Sequence, residues 1–226
     1  YLWGVNGGVD PITAANASSL RQIKVLDTGV RSGTFSFSGD GILLATSSRN
    51  GLLQIWDTGT FELRMQQTED APNFDAPVYS LSFSSDGQSL VMGTYIDDHY
   101  LLQMLSSDFS QPRDIGADVP MDAPNDVAFS PNAKLIASAH NDGLVHIWNI
   151  ADGRLLHTIQ PEGGLAHSIV FNRDGSLLAT LNFNDGVRVW GIGDALARIP
   201  KPVLTVGANA IVTLITEGDV LNMRAE

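Results

Sequence analysis

There is no cysteine in the 226 residues. That absence excludes disulfides, thiolate metal sites and cysteine nucleophiles together, and it leaves the compartment open. Basic residues are scarce: 13 Lys and Arg stand against 25 Asp and Glu, a net charge of −12. Capture of nucleic acid or of an anionic membrane by charge depends on Lys and Arg, so this balance argues against both. An acidic surface prefers basic partners or cations, and the same acidity also serves plain solubility. No apolar run approaches the roughly 18 residues of a membrane span. The chain opens on Tyr1, without a charged start and an apolar signal core, which suggests a processed or partial chain. Catalytic signatures are missing too: no Gly-x-Ser-x-Gly elbow, no Gly-rich phosphate loop and no His-Glu-x-x-His. The acidic residues match no calcium-loop pattern, and His99, His140, His146, His157 and His167 share no spacing that would bring three nitrogens to one metal. No catalytic residue, cofactor or metal is expected.

What the sequence does have is a period. Phe37, Phe83, Phe129 and Phe171 follow one another at 46, 46 and 42 residues, and Trp56, Trp148 and Trp190 each trail their own phenylalanine by 19. A fixed period of this size signals an array of supersecondary units that bury their apolar faces only against neighbours. In the third copy, Val127 to Phe129 is a short apolar run and Ser130-Pro131-Asn132-Ala133 a turn. Leu135 to Ala139 is a second run, Asn141-Asp142-Gly143 a tight turn, Leu144 to Trp148 an alternating third strand, and Leu155 to Ile159 a fourth. Asn50-Gly51, Asp142-Gly143 and Asp185-Gly186 supply the positive φ that a tight hairpin needs. The second copy departs, since its Trp-equivalent place falls near Met104 and residues 95–100 form an enlarged turn.

Trp56-Asp57, Trp148-Asn149 and Trp190-Gly191, with Phe-Ser-x-Asp-Gly type turns at the four phenylalanines, resemble the WD-repeat β-propeller family over essentially the whole chain. The resemblance implies an all-β propeller of four-stranded antiparallel blades. Four full blades are expected at residues 31–69, 77–116, 123–161 and 165–206, with partial blades at 1–30 and 208–226. The Gly-His dipeptide expected before each first strand is absent, so the family's buried His-centred hydrogen-bond network cannot form in its usual way. The ring must close, because a terminal blade leaves strand edges unpaired. Either the C-terminal strand completes the N-terminal blade of a five-bladed ring, or the chain is the central part of a longer one; seven is the commonest number in the family, and the longer ring is preferred.

By family geometry, the hairpins between second and third strands and the loops between blades share the top face. The bottom turns are alike in length and chemistry, whereas the top varies. Arg31, Arg49, Tyr79, Tyr95, His99, Asn125, Asn141, His167 and Phe183 are therefore expected to ring the channel mouth. Acidic loops at residues 66–77 and 114–124, bearing Glu69, Asp70, Asp75, Asp114, Asp118 and Asp122, would add a negative rim. His146 and His157 read as outward strand residues, His140 and His167 as polar lining near the top. The periodic Phe and Trp residues read as packing between blades; the aperiodic Phe74, Tyr79, Tyr95, Tyr100 and Phe183 are candidates for contact, since aromatic anchors dominate interface energies. The function expected is a non-catalytic interaction platform or scaffold subunit of a larger assembly, taking a basic or polar segment of a protein or peptide, with no nucleic acid and no membrane insertion. The alternative is a propeller hydrolase or oxidoreductase with a central-channel site, against which the inner runs at Phe37, Phe83, Phe129 and Phe171 are apolar and small. A rival contact surface is the outer fourth strands around Leu63, Met65, Leu155 and Ile159. The compact, Lys-poor repeats have a bacterial style; no compartment is indicated.

Overall fold

The computed structural model describes residues 2–4, 12–15, 17–28, 32–48, 51–67, 76–106, 108–109, 112–161, 163–184, 186–191, 212–216 and 219–223. Apart from a single 3-10 turn at Ala17–Ser19, its regular elements are strands. β1 (Leu2–Gly4) pairs with β2 (Arg21–Lys24). β3 (Ser32–Phe37), β4 (Leu43–Ser48), β5 (Leu53–Asp57) and β6 (Leu63–Gln66) make the first four-stranded antiparallel sheet. β7 (Val78–Phe83), β8 (Ser89–Ile96), β9 (His99–Ser106) and β10 (Arg113–Ile115) make the second. β11 (Pro124–Phe129), β12 (Leu135–His140), β13 (Val145–Asn149) and β14 (Leu155–Ile159) make the third. β15 (Ala166–Phe171), β16 (Leu177–Asn182) and β17 (Gly186–Gly191) begin the fourth. The sheets are blades, and their first strands β3, β7, β11 and β15 lie side by side.

One turn chemistry, repeated, starts each second strand. The residue after each phenylalanine carries an oxygen that accepts the backbone N–H five residues on: Leu43 to Ser38, Ser89 to Ser84 and Leu135 to Ser130, each at 2.9 Å. In the fourth blade Leu177 donates instead to the Asn172 side chain, also at 2.9 Å. The serine hydroxyls in turn donate to Asp40, Asp86 and Asn132 at 2.6–2.8 Å. These bonds hold the Asp40 and Asp86 carboxyls below their ordinary pKa. The Asp of Trp56-Asp57 has a similar task, accepting the Gly59 and Thr60 N–H groups at 2.8 and 2.9 Å so that the chain turns into β6.

Pleating sends alternate side chains to opposite faces, and adjacent blades bury their facing sides on one another. Ala45, Leu53 and Ile55 of the first blade meet Leu81, Phe83, Leu90, Met92 and Leu105 of the second. Val91, Leu102 and Ile115 meet Val127, Phe129, Ile136 and Trp148 of the third. Ala137, Ala139 and Val145 meet Ile169 and Leu178, flanked by Phe171 and Trp190 of the fourth. The indoles stand opposite Leu44, Ile136 and Leu178, and in the second blade the matching partner of Leu90 is Leu105, one residue beyond the Met104 expected.

The two end faces of the row are uncovered. Phe35 and Phe37 are 71% and 49% exposed, although Leu81 and Phe83 at the same places in the second blade are 6% exposed. Val170 and Val187 of the fourth blade are 59% and 55% exposed, whereas Val145 of the third, which matches Val187, is fully buried. Phe37 is thus half out of the packing role assigned by its period. β18 (Val212–Thr216) lies parallel to β17, with Leu214 beside Val189, and pairs antiparallel with β19 (Asp219–Met223). The tail strands thereby extend the fourth sheet, whereas the sequence reading gave them a partial blade of their own. β1 pairs with β2, so the closure in which the tail completes the N-terminal sheet is not the pairing found. The fourth strand expected within 192–206 lies outside the described residues. Among the described residues no helix is long and apolar enough to cross a membrane.

Trp148 is fully buried at the junction of the second and third blades, where its ring leaves no space for a Cβ on Gly116. Trp148→Ala should cost about 3–5 kcal/mol of stability, as large-to-small core changes do, read as a lowered urea midpoint. Leu156→Ala on the exposed edge of β14 should stay within about 0.5 kcal/mol.

Candidate binding face

A buried indole N–H needs an acceptor, and three blades provide it from the middle of the second strand. Trp56, Trp148 and Trp190 donate to Thr46, Ser138 and Thr180 at 3.0, 2.8 and 3.0 Å. In the third blade the relay continues. The Ser138 hydroxyl lies 2.7 Å from His140 Nε2, and His140 Nδ1 lies 2.8 Å from the Asp122 carbonyl. A carbonyl only accepts, so Nδ1 carries the proton, Nε2 accepts from Ser138, and the ring is fully satisfied when neutral. The fourth blade repeats the layout with Thr180, Asn182 and the Gly164 carbonyl. A His-centred network therefore exists, built from the end of the second strand instead of the missing Gly-His dipeptide. His140 is fully buried between blades and does not line a channel.

His146 corrects a second expectation. It is 3% exposed, with its ring 4.7 Å from that of His140 and 5.3 Å from that of Trp148, and neither of its nitrogens has a hydrogen-bond partner. The corresponding Gln54 and Gln103 donate across to Gln66 and Asp114 on the fourth strands, each at 3.0 Å. Asp114 is thus tied to a strand and is not part of a loose acidic rim. His146 faces Thr158. Burial, reinforced by His140, pushes its pKa down to about 4.

The top of every first strand carries a β-bulge, with register shifts spanning Ser32/Phe35, Val78/Ser80, Pro124/Asp126 and Ala166/Ser168. The extra residue in the last three is Tyr79, Asn125 and His167, four before each phenylalanine; the first blade has Gly33 at that offset. Bulges re-aim a side chain out of the ladder, so three expected site residues emerge at one level of consecutive blades. Polar clasps hold those blades together. Ser80 donates to the Pro124 carbonyl at 3.0 Å, and Asn125 to the Ala166 carbonyl at 2.9 Å. Ser168 and the Ile169 N–H donate to the Asp126 carboxylate, both at 2.9 Å. Burial raises the Asp126 pKa against these donors.

The other candidates fall into two groups. β8 and β9 are eight residues each, against six and five for β12 and β13, so the hairpin of the second blade stands above its neighbours. Tyr95 pairs across it with Tyr100, ring centroids 4.8 Å apart, and Tyr100 meets Tyr79 edge to face at 5.6 Å. Burial first, then Tyr79 and the nearby Asp122 carboxylate, push the Tyr100 phenol pKa up. Asp97 and Asp98 turn the tip with φ of 49° and 65°, and His99 is exposed beside them. The second group is Asn125, which donates to Asn141 at 2.9 Å, with exposed His167 on the adjacent strand. Phe183 is 70% exposed on the hairpin of the fourth blade and joins neither group in a ring contact. Arg31 and Arg49, with Glu69, Asp70, Phe74 and Asp75, lie outside the described residues. Asp118 is exposed, but its loop also packs Val119 and Met121 on the core between the second and third blades. Tyr100 was expected as an aromatic contact candidate and Asp122 as part of the acidic rim, without a place in the ring around the mouth; the alternation of a β-hairpin, which puts Tyr95 opposite Tyr100, brings Tyr100 into the group.

The sequence matches the WD domain, G-beta repeat, over residues 21–57 and 121–149, the segments that hold the Trp56 and Trp148 relays. Two stretches of the chain thus carry WD repeats. It is 32% identical over 91 residues to Protein Atg16l2 of Mus musculus, covering 39% of this chain and 14% of that protein. It is 32% identical over 124 residues to WD repeat-containing protein SL1-17 of Schistosoma mansoni, covering 54% and 38%. An uncharacterized WD repeat-containing protein of Synechocystis is 26% identical over 175 residues, covering 76% and 48%. The chain spans less than half the length of each of these relatives. Within this WD-repeat chain, the tyrosine hairpin lies between the two matched segments.

The neutral His pair gives the fold an acid limit. Unfolding returns His146 to its ordinary 6.5 from about 4, so the unfolded chain binds more protons between those values. The share of stability owed to His146 should therefore be complete above pH 6.5, fall as the pH drops toward 4 and level off below, a loss of about 3 kcal/mol for a shift of this size. His146→Leu should match or exceed the parent in urea midpoint at pH 7, because it removes two unpaired buried nitrogens. It should also lose less between pH 6.5 and 4; an unchanged pH slope would clear His146 of this role.

Proposed function

We propose that this WD-repeat chain is a non-catalytic platform whose top face receives a basic or polar segment of a protein partner. The bulges that set Tyr79, Asn125 and His167 at one level of three clasped blades carry this reading, because they present side chains of differing chemistry from a rigid frame. The family supports it, WD repeats being protein-interaction modules in general, and the net charge of −12 favours a basic segment. We further propose that the uncovered faces at Phe35 and Phe37, and at Val170 and Val187, are closed by further blades of the same kind in a longer, seven-bladed ring. The interior interfaces support this, since each joins a face bearing smaller residues to one bearing Phe, Leu or Trp at fixed places. The chain would then contribute four full blades and partial ends, either as a domain or as part of a subunit in a larger assembly.

His167→Ala should weaken capture of the native partner at least severalfold and leave the melting temperature within a degree or two, because the side chain is exposed. Tyr79→Ala should weaken it as well and also destabilise by about 1 kcal/mol, since it removes a ring contact with Tyr100. Association measured at rising ionic strength should slow if the acidic mouth steers the partner. A partner seated on the outer strands β6 and β14, with binding indifferent to His167, would overturn the reading.

A further inference from the structure

Three tyrosines in one group are unusual in a sequence with four tyrosines in all. The repeat pattern does not account for them, because the corresponding stretches of the first and third copies, residues 47–52 and 139–144, contain no Phe, Trp or Tyr. Nor does the core require them, since Tyr79, Tyr95 and Tyr100 are each only half-buried, whereas nearby Val78, Leu81, Met92 and Leu101 are buried.

The three rings are set at angles to one another. Tyr100 is tilted by 55° from Tyr95 and by 72° from Tyr79, so the group presents ring faces in more than one direction instead of a flat stack. A ring face is the negative part of an aromatic side chain and attracts a cation laid over it. Carboxylates lie near the rings. Asp122, on the loop entering the third blade, is close enough to act on the Tyr100 hydroxyl, while Asp97 and Asp98 form the tip of the hairpin. Among the described residues none of these three carboxylates is ion-paired; the cations of the described salt bridges, Arg64 and Arg154, belong to Asp57 and Asp152 on the β5–β6 and β13–β14 turns. Asp122 is also held in place, its carboxylate accepting the Ala123 N–H at 2.6 Å and its carbonyl accepting His140.

We infer that the Tyr79–Tyr95–Tyr100 group, with Asp122 beside it, is a subsite for the side chain of an arginine in a protein partner. The inference rests on the top-face reading and gives it a chemical address. A guanidinium suits the place better than an ammonium, because it is planar, weakly hydrated and able to stack on a ring while its edge donates to a carboxylate. Asp97 and Asp98 lie farther out on the tip and draw the cation in. The Asn125–Asn141 pair and His167 then meet the neighbouring peptide groups, which need donors and acceptors and no charge.

The test uses the whole chain and two synthetic peptides, acetyl-Gly-Arg-Gly-Arg-Gly-amide and the same peptide with both arginines replaced by citrulline, an isostere that keeps the planar shape and lacks the charge. Binding is followed by the aromatic NMR signals of the tyrosines and of His167 at low ionic strength. The arginine peptide should shift the tyrosine signals in a saturable way, and citrulline should bind about tenfold more weakly, the loss of one cation–ring contact and one ion pair. Asp122→Asn keeps the bond to Ala123 and should weaken the arginine peptide severalfold. Tyr95→Phe should retain binding and Tyr95→Leu should lose it, with both variants checked for folding by the upfield signals of the buried core. Equal binding of the two peptides, or binding indifferent to Tyr95→Leu and Asp122→Asn, would overturn the subsite. If the shifts then fell on His167 alone, the top-face platform would still stand. If neither peptide moved any top-face signal while the native partner mapped to β6 and β14, both would fall.

Discussion

Each of the four blades has two apolar faces, and among the described residues no helix covers either, so a blade can be buried only by another blade. That constraint explains why the unit repeats and why its landmarks keep a fixed spacing. It also explains the inequality of the faces. The side turned to the preceding blade bears Phe, Leu, Met and Trp, while the opposite side bears smaller residues such as Ala, Val and Ile. The phenylalanine at each junction comes from the succeeding blade, and complementary faces of this kind pack densely. The uncovered ends show the same distribution, with phenylalanines at one and valines at the other.

Burying tryptophan for its area brings in an indole N–H that must be matched. The chain answers with a hydroxyl at one position of the second strand, and then has to satisfy that hydroxyl and the loop carbonyl beyond it. His140 and Asn182 are two solutions to this second demand. The second blade avoids the problem: with Leu105 in place of an indole and Met92 in place of the hydroxyl, its core there is apolar. His146 is the unsolved remainder, a ring buried for its shape with both nitrogens unpaired.

The period, the strand boundaries and the bottom turns were legible in the sequence because each depends on local chemistry that recurs: a Ser or Asn oxygen, an Asp or Asn three residues after the phenylalanine, a glycine at positive φ. His140 and His146 were misread because alternation along one strand does not reveal which face will be dry. The relay was missed for a related reason. The expected histidine sits before the first strand, whereas His140 reaches the same place from the opposite direction. The candidate mouth was partly legible: Tyr79, Asn125 and His167 share one offset from their phenylalanines, but only the register shifts show that this offset is a bulge. The departure of the second blade was visible as extra length. Its meaning, a raised hairpin with three tyrosines in contact, required the pairing of β8 with β9.

A row of similar blades presents a visitor with similar footholds at each step, so a segment able to settle on one could settle equally well one blade further round. The raised hairpin removes that degeneracy. Its strands are eight residues each, against six and five in the third blade, so its tip stands higher, and among the described residues no other blade has second and third strands as long. A bound segment would therefore meet a wall on one side and open ground on the other, and its orientation about the channel axis would be set before any individual contact formed.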